Sequence, residues 1–413
     1  MRLPGPSFVW LSFAMITGVM ATALASPLYG LYREHWQLQA SDISLVYVIY
    51  MGGALCGLLL LGRLPDRIGF LRVMRWGMAL GLLGTALCLA APGMATLSAG
   101  RFLVGVSSSM LTTSSLAGLA LVSDPAHARR TATLSSFLMA LGFGLGPLVG
   151  GVFGQWVPWP LRTSYIPTLL LMAVGLVALF HLPLPAHVRL PSVRLQLADV
   201  LPKMTAPPAG DLGAFALVCC LPLLGFAVFG LYAAMSPLFL ANLLPWHGPI
   251  VAGLAIALIL FASAIVQVLS SRLPTHRCGA AGFFALAASN ALLILNLARP
   301  SSALFALGVT LTAIGHGMCM VSGITMVSRI ARPEQRSGLL SSYLVVGYLG
   351  SMVPMLGIGW IADRWGMDVA VTVFCATVCM AGSVIGLLFF RHRRMRPDSA
   401  GTGPDRTTPL TEG

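Results

Sequence analysis

The sequence predicts an all-α, polytopic membrane protein with twelve transmembrane helices. Of its 413 residues, 57% are hydrophobic and only 9% are charged, whereas a typical soluble protein is about 25% charged. The charges divide the chain into eleven charge-free stretches, as expected if ions are kept out of the hydrocarbon core. One stretch, 212–271, is long enough for two helices, and Pro245, Gly248 and Pro249 interrupt it. Twelve crossings follow.

Each helix is predicted where a stretch supplies the roughly 20 apolar residues that cross a bilayer core. The predicted helices, numbered 1 to 12 in chain order, lie near 8–31, 43–62, 73–91, 95–122, 133–156, 163–184, 213–240, 250–271, 279–298, 302–327, 338–361 and 367–390. The first is a span and not a cleavable signal peptide, because its apolar stretch is too long and lacks a small-residue cleavage site.

The basic residues predict the orientation. Twenty of the 25 Lys and Arg residues lie in the two termini and in the loops after the even-numbered helices, and basic loops stay in the cytoplasm. Six of the eight tryptophans lie at the opposite ends of the helices, where an interfacial aromatic belt is expected: Trp36, Trp156, Trp159, Trp246, Trp360 and Trp365. Both termini are therefore predicted to be cytoplasmic, in the inner membrane of the cell. The net charge of +13 follows from this topology and requires no nucleic-acid partner.

An internal repeat predicts two pseudo-symmetric bundles of six helices. Several short matches recur at an offset of 207 to 209 residues: Arg63-Leu64-Pro65 with Arg272-Leu273-Pro274, Pro125 with Pro333, and Pro147 and Gly150 with Pro354 and Gly357. Parallel repeats of this kind place a binding site at their interface near the midplane. We therefore expect an N-terminal bundle over 1–184, a cytoplasmic linker over 185–212, a C-terminal bundle over 213–390 and a disordered tail over 391–413.

Three short motifs stand out in the N-terminal half. The loop between helices 2 and 3 contains Gly62, Leu64, Asp66, Arg67 and Gly69, and it resembles the signature loop of the major facilitator superfamily. The loop departs from that family at Phe70, where a basic residue is usual, and Arg72 is the nearest basic residue after it. Leu97, Arg101 and Gly105 resemble the helix-4 pattern, and Gly142, Gly146, Pro147, Gly150 and Gly151 resemble a helix-5 pattern that the family associates with antiporters. The resemblance covers essentially the whole ordered chain and implies the superfamily's twelve-helix fold.

The resemblance implies that the signature loop acts as a conformational latch. Asp66 would pair with Arg67 or Arg72 in the outward-open form, and Asp124 offers these arginines a second carboxylate. The alternative is an ordinary interfacial salt bridge that fixes the loop. The helix-5 glycines leave one helix face almost without side chains, which is explained either by close packing alone or by a bendable contact between the halves. Pro147 lacks an amide hydrogen and makes that helix easier to bend.

Two ionisable residues inside the predicted helices are candidates for function. Arg101 lies about two turns inside helix 4, where it binds substrate or repels a proton from a nearby carrier, or else extends to the outer interface. His316 is the one histidine near the middle of a predicted helix. It is either the proton carrier or a neutral hydrogen-bonded residue between helices. Helix 1 has no acidic residue over 8–31, unlike many drug/proton antiporters.

By resemblance, helices 1, 4, 7 and 10 line the substrate cavity. The candidate lining residues are Thr22, Ser26, Tyr29, Arg101, Ser108, Ser109, Thr112, Phe229, Tyr232, His316 and Ser322. This set is apolar or weakly polar and contains no acid, which favours a neutral, anionic or amphipathic small molecule over a strongly cationic one.

The sequence therefore predicts a secondary transporter that exports a small organic solute, coupled to protons as an antiporter. The alternatives are a facilitator or a proton symporter for uptake, and then a nontransporting membrane sensor or a multi-pass membrane enzyme. No nucleophile elbow, Walker loop or HExxH motif is present, and no Cys, His or acidic cluster has metal-binding spacing. We expect no enzymatic activity, cofactor or metal. The expected partners are the lipid bilayer, the substrate and protons, and the chain is expected to be monomeric.

Overall fold

A computed structural model of the chain describes residues 5–184, 188, 204–243, 248–332 and 335–392. Most of the predicted linker and almost all of the predicted tail lie outside the described residues. Within these ranges the chain is helical and contains no β-strand. Twelve of the helices are long and apolar enough to cross a membrane, which confirms the predicted fold class.

The twelve spans follow one another with short connections, except for the 31 residues between α6 and α7. Labelled α1 to α12, they are Pro6–Trp36, Ala40–Leu61, Phe70–Leu89, Met94–Val122, Arg130–Trp156, Pro160–Phe180, Leu212–Leu240, Pro249–Ser270, Thr275–Ala298, Ser302–Ile330, Gly338–Trp365 and Met367–Arg391. We call the membrane side that carries the α2–α3 connection the linker side, since the α6–α7 linker emerges there too, and the opposite side the far side.

α2 ends in a π-helical turn at Gly57–Leu61 on its linker side, and two further spans depart from a straight α-helix in their far-side parts. α1 passes through a 3-10 turn at Ser26–Leu28 before it continues to Trp36, because Pro27 has no amide hydrogen to donate to the preceding turn. α7 contains a π-helical turn at Leu231–Met235. Such turns often lie at functional sites. The two irregular segments contact each other on the far side of the structure.

The spans pack as two halves that meet along two pairs of helices. Within α1–α6 the main contacts join α3 to α4, α1 to α5 and α2 to α4; within α7–α12 they join α9 to α10, α9 to α12 and α7 to α11. Between the halves, α5 packs against α8 and α2 packs against α11. The space between α1, α4, α7 and α10 is thus framed by these two seams.

The helix-5 glycines divide between two neighbours. Gly142, Gly146 and Gly150 face the backbone of α1 in their own half, where a Cβ at Gly142 would lie 3.0 Å from the Cα of Ile16. Gly151 and Pro147 face α8 in the other half. The motif therefore serves both packing within the N-terminal half and the contact between halves, whereas the sequence hypothesis treated it as a single bare face.

Several close contacts between the halves lie on the far side. Gly30 of α1 meets Pro237 of α7, where a Cβ would lie 3.4 Å from the Pro237 Cβ. Gly151 near the far end of α5 meets Pro249 at the far end of α8. Ser41 near the far end of α2 meets Gly359 of α11. The far side is therefore closed in this conformation.

Candidate functional site

Arg101 lies two turns inside α4 with only 1% of its surface exposed. Its Nη1 donates to the carbonyl oxygens of Thr22 at 2.7 Å and Ala21 at 3.5 Å, both on α1. Its Cζ lies 4.2 Å from the centroid of the Tyr50 ring on α2, a cation–π contact. The guanidinium therefore joins α1, α2 and α4.

Gly105, one turn after Arg101, explains how Tyr50 reaches the guanidinium. A Cβ at Gly105 would lie 2.7 Å from the backbone nitrogen of Ala54 on α2. Gly53 is equally crowded, since a Cβ there would lie 3.0 Å from the carbonyl carbon of Phe102 on α4. These bare positions let the two backbones approach closely, and the approach holds the Tyr50 ring over Arg101.

No carboxylate neutralises Arg101 in the described part of the chain. The groups that interact with it electrostatically are the hydroxyls of Tyr29, Tyr50 and Tyr165 and the thiol of Cys88. The Tyr29 hydroxyl faces the guanidinium as a hydrogen-bonding group, so a neutral side chain and not a carboxylate accompanies it. Buried charges are normally paired. This centre therefore holds a positive charge that no described carboxylate compensates.

His316 forms a second polar centre in the other half. Its Nδ1 lies 2.8 Å from Ser263 Oγ on α8, and Gln267 Nε2 donates to the same oxygen at 3.4 Å. The ring is 7% exposed, and these contacts fix its orientation against α8. His316 is thus a mostly buried imidazole held by polar side chains of α8, and either ring nitrogen can carry the proton of its neutral form.

Aromatic side chains connect the two centres. The His316 ring centroid lies 6.1 Å from Phe226 and 5.8 Å from Phe229, both on α7. Phe226 meets Tyr348 of α11 edge-on at 5.9 Å. The Tyr348 hydroxyl in turn interacts with Ser109 of α4 and with Tyr50. We name the space bordered by Tyr50, Tyr348, Phe226, Phe229 and His316 the vestibule.

The structure brings together most of the predicted lining residues. Thr22 and Ser108 lie against the Tyr50 hydroxyl, Tyr29 faces Arg101, Ser109 meets Tyr348 and Phe229 meets His316. Thr112, one turn from Ser108, is half-buried and donates back to the Ser108 carbonyl at 2.7 Å.

Three predicted lining residues lie elsewhere. Tyr232 packs against Phe239 and Phe305 and interacts with Thr312, all in its own half. Ser322 interacts with Cys278 of α9, and Ser26 is buried in the 3-10 turn of α1, which packs against α5 and α8. These three residues lie on helices predicted to line the cavity, but their side chains point away from the vestibule.

Four residues of the site were not among the predicted lining residues: Tyr50, Tyr348 and Phe226 of the vestibule, and Ser263, which contacts His316. One signal in the sequence points to two of them. Tyrosine hydroxyls avoid lipid contact inside a membrane, and all eight tyrosines of this chain are buried or half-buried. A tyrosine in the middle of a predicted span, as at 50 and 348, therefore indicates an inward face.

The signature loop is not latched in this conformation. Asp66 makes no ion pair within the described residues, although it sits in the first turn of a short helix, Leu64–Ile68. Asp124 contacts His127 at 3.4 Å and accepts a hydrogen bond from the Ala126 amide at 2.9 Å, which lowers the pKa of that carboxyl. The predicted pairing with the loop arginines belongs to the opposite, far-side-open conformation and stays a prediction.

Replacement of Asp66 by Asn is expected to lower transport about tenfold while membrane insertion and yield remain normal. The amide cannot form the charge-assisted bonds that a latch needs in the far-side-open form. Transport by purified protein in liposomes measures the effect, with Glu34→Gln on the far side as a control for loss of one negative charge. Transport by Asp66→Asn equal to that of the wild type would remove the latch.

Comparisons with known proteins agree with this geometry. A sequence model of the Major Facilitator Superfamily matches residues 11–295 and 252–412. The methylenomycin A resistance protein of Streptomyces coelicolor is 35% identical over 121 residues, which are 29% of this chain and 25% of that protein. The chain thus matches about a quarter to less than half of the length of its curated relatives.

Solved structures share the fold at low sequence identity. A bacterial homolog of the human lysosomal transporter Spinster, in an inward-facing and occupied conformation, superimposes with a TM-score of 0.73 at 14% identity, over 96% of this chain and 99% of that one. A peptide transporter in complex with alafosfalin gives a TM-score of 0.78 at 13% identity, over 94% and 95% of the two chains. These likenesses concern the fold alone.

Proposed function

Because the chain belongs to the Major Facilitator Superfamily, we propose that it is a secondary transporter that moves a small organic solute by alternating access. The observation that carries the proposal is the vestibule. It lies between the two halves, its polar centres come one from each half, and close contacts between the halves cover its far side. A rocking motion about the α2–α11 and α5–α8 seams would open the same vestibule to the other side.

The substrate class that fits best is a neutral, anionic or amphipathic molecule with a flat apolar part. Tyr50, Tyr348, Phe226 and Phe229 offer ring faces and edges. The nearest charge is the guanidinium of Arg101, which no carboxylate offsets within the described residues. A cationic solute would therefore meet repulsion, whereas an anion would meet attraction.

The proposed direction is export driven by inward proton flow. His316 supports this coupling, because it borders the vestibule, Ser263 holds its Nδ1 at 2.8 Å, and an imidazole can bind and release a proton. The helix-5 motif, which the family associates with antiporters, points the same way. A facilitator or a proton symporter for uptake uses the same vestibule and differs in the flux that follows a pH gradient.

The proposed setting is a cell membrane, with both termini on the cytoplasmic side and the chain acting as a monomer. The distribution of basic residues supports this orientation. Tags at the two ends should both be shielded from reagents that are added outside intact cells. Labelling of only one end would contradict the even number of crossings.

Flux into and out of liposomes tests the function. A thermal-shift screen of organic acids, neutral aromatics and organic cations on the purified protein first identifies a ligand, since binding raises the melting temperature. Transport of that ligand is then measured with and without a pH gradient. Accumulation against the solute gradient, opposite to proton flow, supports antiport. Equal flux in both conditions indicates a facilitator, and binding without flux indicates a sensor.

Replacement of His316 by Gln is expected to abolish the response of transport to a pH gradient, while solute exchange in the absence of a gradient falls less than threefold. Glutamine keeps an N–H donor but does not titrate. The measurement is flux in liposomes between external pH 5.5 and 8. His35→Gln, on the far side, is the matched control. An unchanged pH response in His316→Gln would exclude this residue as the proton carrier.

A further inference from the structure

The far end of α11 carries the same residue pattern as the signature loop. Gly62, Asp66, Arg67 and Gly69 recur in spacing as Gly359, Asp363, Arg364 and Gly366, so that both segments read G-x-x-x-D-R-x-G. Gly69 and Gly366 also share a backbone conformation, with φ of 90° and 88°, and each precedes the next span directly. That conformation favours glycine. The two segments lie on opposite sides of the membrane.

Asp363 binds the other half of the protein. Its Oδ1 accepts hydrogen bonds from the backbone amides of Ala40 at 2.8 Å and Ser41 at 3.3 Å, and its Oδ2 lies 3.3 Å from the Ser41 amide. Ala40 and Ser41 are the first two residues of α2. Amides in the first turn of a helix have no partner within the helix. A carboxylate from α11 therefore caps these two amides of α2.

The rest of the first turn of α2 is already satisfied. The Gln39 side chain accepts from the Asp42 amide, and the Asp42 Oδ2 accepts from the Gln39 amide at 2.9 Å. This capping box leaves two amides open, and Asp363 takes both. The positive end of the helix dipole adds to the attraction. When the halves separate on the far side, these two amides lose a charged acceptor and regain only water.

Neighbouring contacts place Asp363 at the end of a continuous seam. A Cβ at Gly359, one turn before Asp363, would lie 2.7 Å from the Ser41 Cα, so the two backbones touch there. Further along, the Tyr47 hydroxyl meets Ser351 Oγ at 2.8 Å. Each of these contacts joins α2 to α11 in the far-side half of the membrane.

We propose that Asp363 is a far-side lock that holds the two halves together in the present conformation, as the counterpart of the latch predicted for Asp66. α2 and α11 run antiparallel, so each helix ends beside the start of the other. Asp363 at the end of α11 caps the start of α2. Asp66 at the end of α2 would face the start of α11 when the linker side closes. The Asp363 contact breaks as the Asp66 contact forms, so each lock stabilises one of the two conformations of the transport cycle.

Hydrogen exchange in the full-length protein in nanodiscs tests the lock, which rests on the proposed alternating access. In Asp363→Asn, the amides of 249–256 at the far end of α8 are expected to exchange about three- to tenfold faster, since a helix-cap charge and its hydrogen bonds are lost. This segment does not touch Asp363, so its exchange reports opening of the far side. Exchange over 128–136 at the linker side of α5 is expected to slow.

Opposing variants make the test specific. In Asp66→Asn, exchange is expected to slow over 249–256 and to become faster over 128–136. In the double variant with both substitutions, exchange over both segments is expected to return toward the wild-type rates. Glu34→Gln, a far-side charge outside the α2–α11 seam, is expected to change neither segment. Asp363→Glu keeps the charge, so its exchange rates should lie between those of Asp363→Asn and the wild type. It serves as a control in case Asp363→Asn misfolds.

Exchange over 249–256 that is unchanged or slowed in Asp363→Asn would overturn the lock. Changes confined to residues 39–43 would show a helix cap with no effect on the halves, and would also overturn it. Flux measurements separate this failure from failure of the function, because a transporter without a lock still moves solute while a protein that is no transporter moves none.

Discussion

Alanine at Gly150 is expected to prevent stable folding, whereas alanine at Gly357 is expected to be tolerated. The two glycines occupy matching positions in α5 and α11 of the sequence repeat. A Cβ at Gly150 would collide with the Leu24 carbonyl group on α1, with the carbonyl carbon 3.2 Å away. A Cβ at Gly357 would meet no atom within 4 Å. The same substitution therefore meets a backbone in one half and open space in the other.

The expected magnitudes follow from opposing effects. Alanine in a helix interior is favoured over glycine by about 1 kcal/mol, and Gly357→Ala should gain that benefit and melt at or above the wild-type temperature. At Gly150 the benefit is outweighed, because a clash with a backbone requires two helices to move apart and overpacking costs roughly 1–3 kcal/mol or more. Gly142 and Gly146 contact the same helix, so alanine there should act in the same direction.

Fluorescence-detected gel filtration and thermal melting of the purified variants measure this difference. Gly150→Ala should lose most of the monodisperse peak or melt several degrees below the wild type. Gly357→Ala provides the control for helix propensity and for the purification itself. Equal melting temperatures for the two variants would mean that the α1–α5 contact yields easily, and the glycine motif would then contribute little to stability.

The architecture could be predicted from the sequence because it depends on composition and charge. The stretches between charged residues gave all twelve spans, since the cost of burying an ion acts locally on the chain. The boundary between α7 and α8 could also be predicted, because Pro245 and Pro249 interrupt a helix at their own positions. The π-helical turn at Leu231–Met235 has no such signal, because it arises where α7 meets neighbouring helices.

The site could be predicted only in part because it depends on how helices rotate about their axes. Arg101 and His316 were identifiable as ionisable residues inside apolar stretches. Their partners were not, since Tyr50 approaches Arg101 only through the glycine contact between α2 and α4, and Ser263 approaches His316 from α8. Asp363 illustrates the same limit: its motif is visible in the sequence, but its partner, the start of α2, lies 322 residues away along the chain from Ser41.

Replacement of Arg101 by Met is expected to reduce transport at least tenfold without lowering thermal stability. The guanidinium is buried, and no carboxylate among the described residues offsets its charge. Removing an uncompensated buried charge in favour of an apolar side chain of similar length is often neutral or stabilising. We therefore expect Arg101 to contribute mainly to transport and not to stability.

The contribution expected of Arg101 is to bind α1, α2 and α4 into one geometry and to set the electrostatic potential of the vestibule. Arg101→Lys distinguishes these roles. Lysine keeps the charge, but its ammonium group lacks the planar fork that donates to the Thr22 carbonyl while stacking on Tyr50. If the geometry matters most, transport by Arg101→Lys should be almost as low as transport by Arg101→Met. If the charge matters most, Lys should retain the preference for anionic over cationic ligands in the thermal-shift screen.

Tyr50 supplies a matched pair of variants for the same contact. Tyr50→Phe keeps the ring over Arg101 and should retain at least a third of the wild-type flux. Tyr50→Leu removes the cation–π contact at 4.2 Å, and its flux should fall close to that of Arg101→Met. Flux and melting temperature are measured on the same preparations. A fully active Arg101→Met, or one whose activity loss is matched by unfolding, would show that this arginine is a packing element and would place substrate recognition entirely at the aromatic residues and His316.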